Sequence, residues 1–302
     1  MKGFHDMVNN EKLSKENLTK TGNELKRQVK SFDGKYYEYN IERNGIYYCP
    51  NNLIIDLKQK KMINLPAHQI LADYFIIDTK ENKVSVYDKE FRDGFLATVK
   101  DIERIDVNNG IVTIIKKDDK IQEPEKKCVK MKLDAGKIIE FEDNNLTSCG
   151  LQYLAWCNSI KKLSMANLKE EREGLFLGYN KTLENLFLPK LETCSIRFLH
   201  KNQCLKELSL PKLRKCSFEF MFFNNSLLRL HAPEFENVGP YFMGSNTCLQ
   251  ELNANKLSNI DYDFMDSYRG PIKDDIAKRF NLTTYKYKQE HLNQTQERWW
   301  DK

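Results

Sequence analysis

Apolar residues recur along the second half of the chain at a spacing that suits neither a single helix nor a long strand. The pattern L-x-x-L-x-(L/A) begins at Leu183, Leu205, Leu227 and Leu249, with the same step each time and no slippage. The segments are LENLFLPKL, LKELSLPKL, LLRLHAPEF and LQELNANKL; two weaker copies precede them, IIEFEDNNL from Ile138 and IKKLSMANL from Ile160. The step from Ile160 to Leu183 is longer than the others by one, so that copy holds an extra residue, placed in the polar stretch KEEREG. Self-similarity at a fixed short period marks a repeat architecture in which each unit buries its apolar face on its neighbours. A helical array with leucines at i and i+3 is the competing reading. Against it, Pro189, Pro211 and Pro233 stand directly after the short apolar stretch in three successive copies. Proline in a helix interior removes a hydrogen bond and clashes with the preceding turn, so the stretch is predicted to be a short strand.

Further columns share the period. Tyr153, Phe176, Phe198, Phe220, Phe242 and Phe264 predict a stacked aromatic spine, and four residues after the first five come Cys157, Asn180, Asn202, Asn224 and Asn246. The asparagine amides are placed to satisfy backbone groups of the adjoining turn. Cys149, Cys194 and Cys216 occupy one column that Val238 and Ile260 fill later, which is the behaviour of a small apolar core site.

L-x-x-L-x-L-P-x-L followed by F-x-x-x-N-x-x-L resembles the BspA-like (Treponema-type) leucine-rich repeats over residues 138 to about 265. The chain lacks the usual Ile-Gly-x-x-Ala-Phe core of that family; Cys194-Ser-Ile-Arg-Phe198 and Cys216-Ser-Phe-Glu-Phe220 stand there. The resemblance implies a leucine-rich repeat solenoid of about six repeats with a parallel strand ladder. It also implies a surface or host-directed interaction protein, adhesin or effector-like, as one function.

Around the array the pattern changes. Residues 1–30 read as a polar arm or weakly amphipathic helix, with Leu13, Leu18, Leu25 and Val29 on one side. From 31 to 135 come β-type runs (KYYEYNI, NLIIDL, DYFIID, KVSVYD, FLATV, IVTII) with turn signals at Asp33-Gly34, Asn44-Gly45 and Asn109-Gly110. These are predicted to form a β-rich domain or cap that does not follow the downstream period. The repeats occupy 136–266. In 267–302, GPIKDDIAKRF predicts a C-terminal capping helix with Ile272, Ile276 and Phe280 on one face, and Trp299-Trp300 is expected to fold back on the array, with an exposed partner anchor as the alternative.

Composition narrows the function. With 302 residues, 40% hydrophobic and 30% charged, the chain can bury a core and disorder is not expected. Its net charge of +5 (48 basic, 43 acidic) is a mild surplus that demands no anionic partner. No signal-peptide pattern opens the chain and nowhere do about 18 apolar residues run together, so a membrane span is not expected and the location is read as cytoplasmic, with non-classical export left open. The eight cysteines form no C-x-x-C pair and no zinc spacing; free buried thiols suit a reducing compartment.

No catalytic, cofactor or metal site is expected. G-x-S-x-G, H-E-x-x-H, Walker, G-x-G-x-x-G and kinase signatures are all missing from the sequence. His5, His68, His200, His231 and His291 have no sequence-local partners. The repeats offer a surface instead. The x positions of L-x-x-L-x-L point away from the core, so successive copies build one face. It carries Lys161, Lys162 and Ser164; Glu184, Asn185 and Phe187; Lys206, Glu207 and Ser209; Leu228, Arg229 and His231; Gln250, Glu251 and Asn253. Charges alternate in sign, which disfavours nucleic acid. Phe187 and Leu228 are apolar where exposure is expected, beside Arg229 and His231, and aromatic residues with arginine characterise protein contact centres. The expectation is a non-catalytic scaffold that binds another protein through Asn185, Phe187, Glu207, Ser209, Leu228, Arg229, His231, Glu251 and Asn253. An enzyme in the N-terminal half with the repeats as substrate selector is the remaining alternative.

Overall fold

The structure is a computed structural model that describes residues 17–21, 24–88, 94–117, 127–258, 260, 264, 268 and 271–279. Phe280, the tryptophan pair, His5 and His291 lie outside the described residues.

The N-terminal part is a series of antiparallel hairpins. β1 (Asn17–Thr21), β2 (Glu24–Lys30) and β3 (Tyr36–Glu38) form one sheet. This corrects the expected arm or helix over 17–30: paired with β1 and β3, β2 buries Val29 beside Tyr39, Cys49 and Ile55. β4 (Ile41–Arg43), β5 (Ile46–Cys49), β6 (Leu53–Asp56) and β7 (Lys61–Asn64) form a second sheet; β8 (Gln69–Ala72), β9 (Phe75–Asp78) and β10 (Lys83–Val86) form a third. These strands were expected to follow no downstream period, yet two of the hairpins repeat with the same step as the array. Asn51 and Asp73, and then Lys60 and Asn82, take the same left-handed conformation. Asp56 and Asp78 each accept backbone N–H groups of the following turn, from Gln59 at 2.9 Å and from Glu81 at 2.8 Å.

A short helix, α1 (Gly94–Thr98), then precedes β11 (Ile102–Asn108), β12 (Ile111–Lys116), β13 (Cys128–Asp134) and β14 (Lys137–Glu142), an antiparallel run. β14 is also the first rung of the array, because it pairs in parallel with β16. Each later coil adds two very short strands: β15 (Ser148–Cys149) and β16 (Lys162–Ser164), β17 (Glu170–Glu171) and β18 (Asn185–Phe187), β19 (Thr193–Cys194) and β20 (Glu207–Ser209), β21 (Lys215–Cys216) and β22 (Arg229–His231), β23 (Asn237–Val238) and β24 (Glu251–Asn253). The array is a parallel β-solenoid of about five turns with almost no helix. Odd strands from β15 to β23 make one ladder; on the other face β14, β16 and β18 pair in one sheet and β20, β22 and β24 in another.

Why the chain winds this way follows from its columns. Leu183, Leu205, Leu227 and Leu249 are fully buried, as are Phe176, Phe198, Phe220 and Phe242. The rings stack almost parallel, with centroids 5.2 Å apart from Phe176 to Phe198, 5.6 Å to Phe220 and 5.3 Å to Phe242. Upstream the spine runs through Tyr153 to Phe95 of α1 and Phe141 of β14, so the hairpins and the solenoid share one core. The asparagine column bonds as expected, since the amides of Asn180, Asn202, Asn224 and Asn246 donate to the carbonyls of Cys157, Leu177, Leu199 and Met221 at 2.7–3.0 Å.

The turn side holds the least expected geometry. Positive φ alternates through every described coil, at Gln152, Leu154 and Trp156, then Leu175, Leu177 and Tyr179, then Arg197, Leu199 and Lys201, and onward to Ser245. A left-handed conformation costs a non-glycine residue roughly 1–2 kcal/mol. Bonds from coil to coil offset it: the amides of Leu177, Leu199, Met221 and Met243 donate to Tyr153, Phe176, Phe198 and Phe220 at 2.8–3.0 Å.

The extra residue of the longer copy falls between Glu171 and Leu175. Cys149 pairs with Glu171 in step with the regular period, whereas Gln152 corresponds to Leu175, one position later than that period would place it. Glu171 therefore sits in the cysteine column, and its carboxylate compensates for the irregularity. Elsewhere the amide after the column residue bonds to the previous coil's column carbonyl, as Ser217 to Cys194 and Gly239 to Cys216, both 3.2 Å. Ser195 instead donates to the Glu171 carboxylate at 2.8 Å, and Gly174 donates to its other oxygen.

At the far end Ile276 of a seven-residue helix, α2 (Lys273–Arg279), is buried against the core. The Tyr268 hydroxyl donates to Leu249 O at 2.7 Å and the Arg279 guanidinium donates to Ala254 O. The Tyr268 hydroxyl thus serves Leu249 O as the Ser226 hydroxyl of the following coil serves Leu205 O.

Candidate functional site

The even-numbered ladder projects the x positions of the repeat outward, because side chains alternate across a strand. Asn185, Phe187, Glu207, Ser209, Arg229, His231 and Glu251 are exposed, while Leu228 and Asn253 are half-buried. Along the middle column Lys162 lies 3.9 Å from Glu140, and Arg229 pairs with Glu207. Exposed pairs of this kind contribute about 0–1 kcal/mol and act mainly to fix side-chain direction. In the outer column Phe187 stands between Ser164 and Ser209 at 55% exposure, and the His231 Nδ1 is 3.0 Å from the Asn253 amide nitrogen.

The ladder breaks in the middle of this face. One sheet ends at β18 and another begins at β20, while the odd-numbered ladder runs unbroken past the same point through β17, β19 and β21. Elsewhere the rungs are bonded: Leu228 N donates to Lys206 O at 2.7 Å and Gln250 N to Leu228 O at 2.8 Å. The opening leaves Leu186 half-buried, whereas its column neighbours Leu163, Leu208 and Leu230 are at most 3% exposed. A shallow depression of about 640 Å³ lies here, with Leu186 and Leu208 in its floor and Glu184, Phe187, Lys206, Arg229 and His231 around it. All the exposed candidate residues line it; Leu228 and Asn253 do not.

The buried titratable groups lie elsewhere and are tied to the backbone. Burial pushes the Glu171 carboxyl up to about 7 despite its two amide partners. Burial likewise raises Asp73 to about 7; it accepts Ile138 N and the Ser159 hydroxyl, each at 3.0 Å, joining the hairpins to the first coil. His200 is pushed down to about 3 by burial, with Lys201 and Arg197 adding to the effect, so it is neutral. Among the described residues no cluster of three or more His, Cys, Asp or Glu side chains could hold a metal ion. No helix among them is long and apolar enough to cross a membrane.

Sequence reasoning passed over a second surface. On the turn edge Trp156 stacks on Tyr179 at 5.4 Å, and Lys201 places its ammonium 4.9 Å from the Tyr179 ring and 5.8 Å from Phe223. Phe218, Phe222 and Tyr241 adjoin them, half-buried. The signal was present, since Trp156, Tyr179, Lys201 and Phe223 fall in one repeat column.

Fold and surface together define a parallel β-solenoid with a shallow depression on a strand ladder. No protein family, curated protein or solved structure is matched by the chain.

Proposed function

We propose that the chain is a leucine-rich repeat protein of the BspA-like kind and serves as a non-catalytic scaffold that binds another protein through its even-numbered strand face. The observation that carries this reading is the break between β18 and β20, which opens a depression beside Phe187, an exposed aromatic residue on a rigid strand. An exposed aromatic residue with an arginine and charged neighbours has the make-up of a protein contact centre. The alternating signs of Glu184, Lys206, Glu207, Arg229 and Glu251 suit a polar rim that selects register on a protein partner; a phosphate backbone would call for a stripe of one sign. Asn185, Ser209 and His231 would supply hydrogen bonds within the rim, and Leu228 and Asn253 would support it from below.

The test is affinity capture from native lysate with the wild-type chain and a Phe187→Ala/Arg229→Ala double variant, read by mass spectrometry. A partner held by the wild type is expected to be depleted at least tenfold from the variant, with both proteins showing the same unfolding midpoint. Equal recovery would refute the assigned face.

A further inference from the structure

Cys194 and Cys216 differ from the other cysteines in one geometric respect. They are directly opposed on neighbouring parallel strands, β19 and β21, in one column of the repeat. Strands in a ladder lie about 4.8 Å apart, within the roughly 4.4–6.8 Å between Cα atoms that a disulfide spans; the Cβ atoms of an in-register parallel pair share that spacing, so closure to the roughly 3.5–4.5 Å a disulfide needs draws the two coils together by a few tenths of an ångström or more. Both sulfurs are free thiols, and both residues line an open groove of about 720 Å³ shared with Ser217, Val238 and Gly239. Cys149, in the same column, has Glu171 as its neighbour instead of a thiol. Burial as small apolar residues explains why the column accepts cysteine, and the stacking of coils sets the two thiols in register; that same register, beside a groove, is what a dithiol needs.

Their place in the fold adds to this. The two coils that separate on the strand face, at β18 and β20, are joined on the other face through the ladder to which β19 and β21 belong. The thiol pair therefore stands on the closed side of the array, next to the open junction between β18 and β20.

We propose that Cys194 and Cys216 are a redox-modifiable dithiol that closes to a disulfide when a hydroperoxide reaches the groove. The first thiol attacks the peroxide O–O bond, giving a sulfenic acid and releasing water or an alcohol. The second thiol displaces hydroxide from that sulfenic sulfur, the S–S bond forms, and the hydroxide leaves as water with the second thiol's proton. Sulfur is oxidised by two electrons and the peroxide is reduced by two. Burial holds the Cys194 thiol well above the ordinary cysteine value, so closure is slow beside the oxidation of the exposed Cys204.

The experiment treats the full chain, natively folded, with hydrogen peroxide, alkylates remaining thiols after denaturation, and maps peptides without reduction. The expected result is a linked peptide containing Cys194 and Cys216 that reverses with dithiothreitol. Cys216→Val, whose side chain the neighbouring coil already carries as Val238, is expected to fold, to lose that peptide at least tenfold and to leave Cys204 oxidation unchanged. A Cys194→Ser variant serves as the second control and is expected to lose the same peptide. The proposal is overturned if both thiols stay fully alkylatable after Cys204 is consumed, or if they end as separate sulfinic acids, or if the linkage forms only in urea-unfolded chain.

Discussion

Glu171→Gln tests whether the carboxylate in the cysteine column is held against its own ionisation. Burial moves its pKa from 4.5 to about 7, a difference worth about 3 kcal/mol between the two protonation states. Because the folded value lies above the unfolded one, this stability is fully present below about pH 4.5 and is lost as pH rises through 7. Gln cannot ionise, and its single carbonyl serves one of the two amides, Ser195 N or Gly174 N, that the carboxylate serves together; leaving the other short costs about 1 kcal/mol. At pH 8 the variant is therefore expected to be more stable than the wild type by about 2 kcal/mol. At pH 4.5 the advantage disappears or reverses slightly. Urea titrations of both proteins at the two pH values measure it, and the wild-type-minus-variant difference cancels every other titrating group, Asp73 included, as long as the sites are independent. A variant less stable at pH 8 would show that the amide partners outweigh burial at this carboxylate, and a difference that does not change with pH would show that it ionises as it does in the unfolded chain; either result refutes the reasoning.

Asp73→Asn is expected to act in the same direction at the junction between hairpins and array: burial lifts its carboxyl from 3.8 to about 7, so the stability it contributes when protonated fades as pH rises through 7, and the variant's urea midpoint should vary less between pH 4 and 8. Asn224→Ala removes the donor to Leu199 O and should cost about 1–3 kcal/mol, read as a lower unfolding midpoint. Gly174→Ala would place a Cβ 2.7 Å from the Ile196 carbonyl at φ +100°, so a loss above about 1 kcal/mol is expected by the same assay. Phe187→Ala, at an exposed position, should leave the midpoint within about 0.5 kcal/mol of the wild type.

The columns of leucine, proline, phenylalanine and asparagine were readable because each places one residue type at one point of every coil, and burial or hydrogen bonding demands that type. Asn202 and Asn224 show this directly: the predicted backbone partner is the kind they bond. The left-handed positions were not readable. Leu177, Leu199 and Met221 look like ordinary core residues, and only the amides arriving from neighbouring coils make their conformation tolerable. The break at β18 left no trace in the pattern, since Leu186 occupies the same column as the buried Leu208 and Leu230. Glu171 escaped the cysteine column because the extra residue shifts the count after it. The hairpin repeat carried by Asp56 and Asp78 was legible in NNLIID and DYFIID, but without leucine at the usual intervals it did not register as a period.

In a linear array stability is a sum of unit terms and nearest-neighbour interface terms. The interface between the coils of β18 and β20 lacks one of the two ladders that the other interior interfaces of this array have, so we expect its coupling to be weaker than theirs. Amides from Leu205 to Ser258 should then exchange with solvent as one cooperative block, with an opening free energy below that of the segment fused to the hairpins. The molecule has one continuous core and, energetically, two pieces.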